Sequence, residues 1–222
     1  MMQLSLRLRA IANMIPENKI VVDIGCDHAF LDIDLTQRGK NQCIACDVRN
    51  SVLEMAKKNI SDFGYEDKIS LIQSNGLETI DIPSGAVAVI AGMGTATILS
   101  ILENPKVNLF SELIIQTNND WAFFRKMMSK KGFYLLEEQL VLERNKYYVL
   151  MKWKKGKSHY SSKQCFLGPL LRQKKDSIPY YQYLLQQHQR VVAKIPKQYR
   201  IEHYQVRTKI RWLTKELKKN NL

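Results

Sequence analysis

The sequence predicts an α/β protein: a mainly parallel sheet of seven strands that ends in an antiparallel hairpin, followed by a C-terminal α-helical hairpin. Three observations predict this. Short β-rich runs alternate with longer helical stretches between Lys19 and Trp153. The last two runs are separated only by Arg144-Asn145-Lys146. Beyond the serine pair at 161 and 162, apolar residues recur at steps of three and four.

The strands are expected at Lys19 to Ile24, Cys43 to Asp47, Ile69 to Ser74, Ala86 to Ala91, Glu112 to Thr117, Tyr134 to Glu143 and Tyr147 to Trp153. Three residues are too few for a parallel crossover, so the last two strands must pair antiparallel at one edge. The stretch Lys154 to Ser162 reads as a linker. After it, Ile178, Tyr181, Leu185, His188, Val192 and Ile195 form one heptad-like seam. Past Pro196, Tyr199, His203, Val206, Ile210, Leu213 and Leu217 form another. Two such helices joined at a proline pair by burying each other's stripe, with His188 and His203 as packed seam residues.

Charge divides the chain at 156/157. Residues 1–156 carry 19 basic against 18 acidic side chains, whereas residues 157–222 carry 15 against 3. An electrically balanced body with a basic helical appendage points to a polyanionic partner. Arg200, Arg207, Arg211, Lys215 and Lys218 are spaced to fall along one side of the second helix, a stripe that can follow a phosphate backbone. Tyr199, Tyr204 and Trp212 lie among them, as packing residues or as platforms for bases.

No apolar run is long enough to span a membrane, and Arg7 and Arg9 interrupt the N-terminal apolar residues where a signal peptide would not, so a cytoplasmic protein is expected. Cys26, Cys43, Cys46 and Cys165 are too few for a disulfide framework and read as reduced core thiols. The pair Cys43-x-x-Cys46 lies inside a strand with no second pair or His cluster at zinc spacing, so no metal is expected. Nothing calls for an obligate protein partner.

The first strand runs into Gly25-Cys26-Asp27, a turn where a ligand can approach the backbone at the carboxyl end of the sheet. A full G-x-G-x-x-G is absent, and Asp27 stands where the second glycine would admit a pyrophosphate. Carboxylates suit a cationic ligand without phosphate, and S-adenosyl-L-methionine is such a ligand. Asp23 is placed to reach its amino group. Asp47, followed by Val48, closes the second strand where an acid grips ribose hydroxyls. Asn75, beside Gly76, offers a carbonyl to the adenine amine, and Gly92-Met93-Gly94 is a glycine-flanked turn able to line the transfer site.

The run from Ile11-Ala12 to Ile15-Pro16, the stretch Asp23-Ile24-Gly25-Cys26-Asp27-His28-Ala29-Phe30-Leu31, then Ala91-Gly92-Met93-Gly94 and Gln116-Thr117-Asn118 resemble the bacterial tRNA (adenine-22-N1)-methyltransferase family across the whole chain. The sequence departs from that pattern at Cys26, Asp32, Asp47, Asn75, Thr95 and Thr117. The resemblance implies a Rossmann-like class I methyltransferase sheet, S-adenosyl-L-methionine as cofactor, tRNA as partner, and methylation of ring nitrogen 1 of an adenine. It implies Asp27 as the catalytic residue, against the alternative that Asp27 caps the next helix. It brings in His28 and Asn118 at the catalytic site and Arg7 as partner of the methionine carboxylate. The lack of an Asp-Pro-Pro-Tyr or Asn-Pro-Pro-Tyr after the fourth strand disfavours an exocyclic amine as the target. A non-catalytic RNA-binding protein and a small-molecule methyltransferase remain the alternatives.

Overall fold

A computed structural model describes residues 4–39, 41–196 and 198–220. All seven expected strands are present: β1 (Ile20–Ile24), β2 (Gln42–Asp47), β3 (Ile69–Gln73), β4 (Val87–Met93), β5 (Glu112–Thr117), β6 (Phe133–Glu143) and β7 (Lys146–Lys155). They form one sheet in the order β3-β2-β1-β4-β5-β7-β6. Strands β1 to β5 are parallel, and β7 is antiparallel to both β5 and β6. The strand order reverses between β1 and β4, which opens a crevice at their carboxyl ends.

Period-two alternation sends the side chains of each strand to two different cores. On one face Val21, Ala45, Val87 and Val89 meet Ile11, Leu31, Ile33, Leu53 and Ile60, from helices α1 (Leu6–Met14), α2 (Phe30–Gln37) and α3 (Asn50–Asp62). On the other, Val22, Ile24, Ala88 and Ile90 meet Ile98, Phe124 and Met128, from α4 (Thr95–Ile101) and α5 (Trp121–Lys130). Asp23 alternates with Val22 and Ile24 and so faces α2.

The hairpin turn is tighter than expected. Arg144 and Asn145 alone form it, with φ of 48° and 60°, and Lys146 already belongs to β7. Two successive positive φ values are those of a type I′ turn, whose twist matches that of the flanking strands. The linker expected at Lys154 to Ser162 is also shorter. Lys154 and Lys155 pair with Tyr134 and Phe133, and Ser162 opens a further helix, α6 (Ser162–Leu167), entered through a capping box between Ser161 and Gln164. Gly92 and Met93 are the bulged end of β4, not a free turn.

The two C-terminal helices, α7 (Ile178–Lys194) and α8 (Arg200–Asn220), pair as expected. Their seams are half-buried to buried, except Tyr199, which is 49 % exposed because it precedes the first turn of α8. The base of the pair is not separate from the body. Tyr180, Tyr181, Leu184 and Leu213 share one core with Trp153 and Phe124, and the Tyr181 hydroxyl donates to the Leu167 carbonyl at 2.8 Å. Among the described residues, no helix is long and apolar enough to cross a membrane.

Candidate active site

The turn from β1 into α2 is held by two backbone bonds, Gly25 N and Cys26 N both donating to the Cys46 carbonyl at 2.8 and 2.9 Å. Its backbone then passes through the left-handed region at Gly25 (φ 80°), Asp27 (φ 50°) and Ala29 (φ 57°). Ala29 is the residue at the N-cap of α2, and no side chain caps that helix. The carboxylate of Asp27 is therefore not spent on capping, and its side chain is 68 % exposed.

Two adjoining cavities lie over this turn. One, of about 290 Å³, is lined by Arg7, Asp23, Gly25, Cys26, Asp27, His28, Phe30, Asp47, Gly92 and Met93. The other, of about 330 Å³, is lined by Gly25, Asp47, Val48, Ser74, Asn75, Gly76, Met93 and Ile101. They share Gly25, Asp47 and Met93. Gly25 is held at a positive φ that favours glycine, and the Met93 methyl packs directly on the face where a Cβ would stand. A third cavity, of about 330 Å³, lies at the other end of the strands among Asn18, Lys19, Asn41 and Lys68, far from these carboxylates.

Every residue expected at the cofactor lines one of the two cavities except Gly94, which is the N-cap of α4. Asp47 is buried, and its Oδ1 accepts from Arg49 N at 3.0 Å and Arg49 Nε at 3.3 Å, which holds the carboxylate in place at the cleft. Asn75 Nδ2 donates to Glu78 Oε1 at 2.9 Å, so its oxygen remains the acceptor required for an adenine amine.

Asn118 stands behind the lining as the end of a relay. Arg7 Nη1 donates to Gln116 Oε1 at 2.7 Å, Gln116 Nε2 to Asn118 Oδ1 at 3.1 Å, and Asn118 Nδ2 to the Gly92 carbonyl at 2.6 Å. Gln116, buried at the end of β5, was expected as a strand residue and as part of the Gln116-Thr117-Asn118 run, without a role of its own. Its relay holds the Arg7 guanidinium over Gly92, where a carboxylate can meet it. The Thr95 and Thr117 hydroxyls lie 2.7 Å apart and both lie within reach of the Asn119 carbonyl, so that one donates to the other and the other to the carbonyl, and the loop after β5 is tied to α4.

His28 Nε2 lies 3.9 Å from Asp27 Oδ1, beyond hydrogen-bond reach, and its ring packs on Phe30 at 5.7 Å. Burial pushes the Asp23 carboxyl up to about 7, against lowering by a hydrogen bond from Asp32 and by the charge of Arg7. A raised carboxyl pKa favours the folded state at low pH. That contribution is full below the ordinary value of 3.8 and is lost as pH rises through about 7, unless a cation arrives to pair with the ionised group. Cys43 and Cys46 do not converge: their thiols donate to the carbonyls of Asp32 and Gly76 on opposite faces of β2.

The donor set fits S-adenosyl-L-methionine. Asp23 and Arg7 suit an amino acid's two charged ends, Asp47 suits a diol, and the two adjoining cavities leave room between them. The basic residues expected on α8 lie apart from this cleft: Arg200, Arg207, Arg211, Lys215 and Lys218 are all exposed.

Comparison with known proteins agrees with this geometry. The methyltransferase-domain family matches residues 4–151. A tRNA (adenine(22)-N(1))-methyltransferase of Bacillus subtilis is 30 % identical over 186 residues, 80 % of this chain and 78 % of that protein. The structure of Mycoplasma capricolum TrmK with S-adenosyl-homocysteine superposes with a TM-score of 0.85 at 28 % identity, covering 98 % of this chain and 99 % of that one. A Streptococcus pneumoniae protein crystallised with S-adenosyl-L-methionine gives 0.87 at 27 % identity, covering 97 % and 100 %. A seven-stranded sheet with this order, a carboxylate-lined crevice at its reversal point and kinship over the helical tail converge on one assignment: the chain belongs to the methyltransferase-domain family and, within it, to the bacterial tRNA (adenine-22-N1)-methyltransferases.

Proposed function

We infer that this enzyme transfers the methyl group of S-adenosyl-L-methionine to ring nitrogen 1 of an adenine in tRNA, at position 22 as its Bacillus subtilis relative is named for. The observation that carries the reading is the meeting of Asp23, Gly25, Asp47 and Arg7 in one cleft, with Asp27 exposed at its side. When bound, the cofactor supplies a methyl carbon activated by a positively charged sulfur.

Ring nitrogen 1 has its own lone pair, so the site needs alignment and exclusion of water more than a base. The nitrogen lies on the pairing edge of the base, which must be flipped out of its contacts to enter. Arg7, held by Gln116 and Asn118, and Asp23 fix the amino-acid end of the cofactor. Asp47 fixes the ribose. Asp27 accepts from the exocyclic amine of the adenine and offsets the positive charge that grows on the ring. Phe30, 38 % exposed, and His28 wall the side from which the base enters.

Residues 1–156 carry the chemistry and residues 157–222 hold the RNA. Arg200, His203, Tyr204, Arg207 and Arg211 line a shallow depression on α8, in which Tyr204 is 65 % exposed and free to stack on a base. Arg144 and Lys146 are exposed at the hairpin tip, at the end of the sheet that carries the cleft.

Unmodified tRNA incubated with radiolabelled cofactor should yield label in 1-methyladenosine, mapped to position 22, and a transcript carrying guanine in place of that adenine should take up none. Label in another nucleoside, or none in tRNA, would refute the assignment. Deleting residues 157–222 is a poor test of the tail, because it strips Tyr180, Tyr181 and Leu213 from the shared core. Neutralising Arg207 and Arg211 to Gln is the better one. It should weaken tRNA binding at least about 10-fold and reduce the salt slope of log K by about 2, with cofactor binding unchanged. An unaltered slope removes α8 from the interface.

A further inference from the structure

Asp32, in the first turn of α2, has no place in the chemistry described so far. It is 0 % exposed, and Asp23 beside it is 5 % exposed. Among the described residues neither oxygen of Asp32 receives a well-formed hydrogen bond. The Cys43 thiol that could have served donates to the Asp32 backbone carbonyl, at 3.8 Å. The leading influences on it are burial and the charge of Asp23. Asp23 projects from β1 on the same face of the sheet as Cys43, against which Asp32 lies, and its carboxyl bears on Asp32 directly.

Two ionised carboxylates cannot bond, and a buried charge without a partner is among the costliest features a fold can carry. One proton between them removes both problems, because a carboxylic acid donates where a carboxylate only accepts. The surroundings decide which of the two holds it. Asp23 faces the guanidinium of Arg7 from α1 and opens to the cleft, while Asp27 and Asp47 bear on it from the turn and from β2. Asp32 faces Asp23, the neutral thiol of Cys43 on β2, and its own backbone amide. Asp34, the other acid of α2, is engaged by Arg38 at 2.7 Å. Burial and the charge of Asp23 drive the Asp32 carboxyl well above the usual range.

We propose that Asp32 is a positioning residue: a neutral carboxylic acid beneath the cleft that donates its proton to a hydrogen bond with Asp23, keeping that carboxylate ionised and aimed at the cofactor's ammonium group. The proposal rests on the cofactor reading of the cleft. Asp32 touches no reacting atom and acts only through Asp23.

The test is the pH profile of S-adenosyl-L-methionine binding, measured by calorimetry on the full chain. The acid limb reports Asp23 and falls near pH 7, where its carboxyl titrates. The alkaline limb reports the cofactor's own amine, near about pH 8, and no variant should move it. Asp32→Asn keeps a donor to Asp23, so its acid limb stays in place and affinity at neutral pH changes less than about 3-fold. Asp32→Leu removes the donor; its acid limb should rise by about one pH unit and affinity at pH 7 should fall roughly 5- to 10-fold. If Asp32 were instead a second negative charge, Asp32→Asn would move the acid limb down by a unit or more and tighten binding. That result, or limbs unmoved in both variants, overturns the proposal.

Infrared difference spectra of Asp32→Asn against wild type without cofactor give a readout independent of binding and of the Leu variant's stability. A carboxylic-acid C=O band should be present in the wild type near pH 8 and absent from the variant. Its absence from the wild type overturns the proposal while leaving the cofactor site intact. A wild type that shows the band but binds no cofactor refutes the cofactor reading instead.

Discussion

Asp27→Asn should lower the rate of methyl transfer by about 10²- to 10³-fold while leaving the cofactor dissociation constant within about 3-fold of wild type. Asn is the appropriate first variant because Asp27 sits at φ 50°, a conformation that Asp and Asn tolerate and Ala does not favour. Asp27→Ala therefore mixes loss of the carboxylate with strain in the turn that carries Gly25. Asn retains an acceptor for the adenine amine and loses only the charge, so the rate it costs measures stabilisation of the positive ring. Single-turnover transfer into tRNA, with cofactor affinity measured separately, separates the two effects. Equal losses in both would move Asp27 into the cofactor site, and full activity would remove it from catalysis.

The sheet was legible because each strand is a short apolar, β-branched run with its own punctuation, and those signals are local. The position of β7 was not. A three-residue connection dictates that β6 and β7 pair, yet either could lie beside β5; inserting β7 is decided by the packing of Trp153 and Met151 against Phe124 and the C-terminal helices. The same limit divides the site. Asp23, Gly25 and Asp47 could be found because strand ends fix where they point. The role of Gln116 could not, because a run that ends a strand gives no hint that its glutamine bridges Arg7 to Asn118. Asp32 reads as an ordinary acid in a helix's first turn, where it suits the helix dipole. Only the rotation of α2 against β1, which depends on Leu31, Ile33 and Leu35 seating in the core, turns it toward Asp23.

Arg125 and Glu138 were hidden in the same way, each resembling a solvated charge. Both are 0 % exposed, with Arg125 Nε 2.5 Å from Glu138 Oε1. Arg125 Nη1 also donates to the Cys165 carbonyl at 2.6 Å. Glu138 Oε2 accepts from Leu170 N and Leu171 N at 3.2 and 3.3 Å. One ion pair thus ties α5 and β6 of the body to α6 and the segment that enters α7. Arg125→Met fills similar space but strands the Glu138 charge, and breaking a buried pair in this way costs about 3–5 kcal/mol. For a chain of this length that corresponds to a fall in the unfolding midpoint of about 6–20 °C, read by circular dichroism or calorimetry. Arg125→Met combined with Glu138→Gln should recover part of the loss, because the stranded charge is gone while the amide oxygen still accepts from Leu170 or Leu171. If the single variant melted within about 2 °C of wild type, the pair would not be what joins tail to body. Below its melting range, the single variant should bind cofactor normally, since Asp23, Asp47 and Arg7 lie outside this network, and should bind tRNA more weakly as α7 and α8 lose their fixed footing. Normal tRNA affinity in a destabilised variant would mean that the tail recognises RNA without being held rigidly against the cleft.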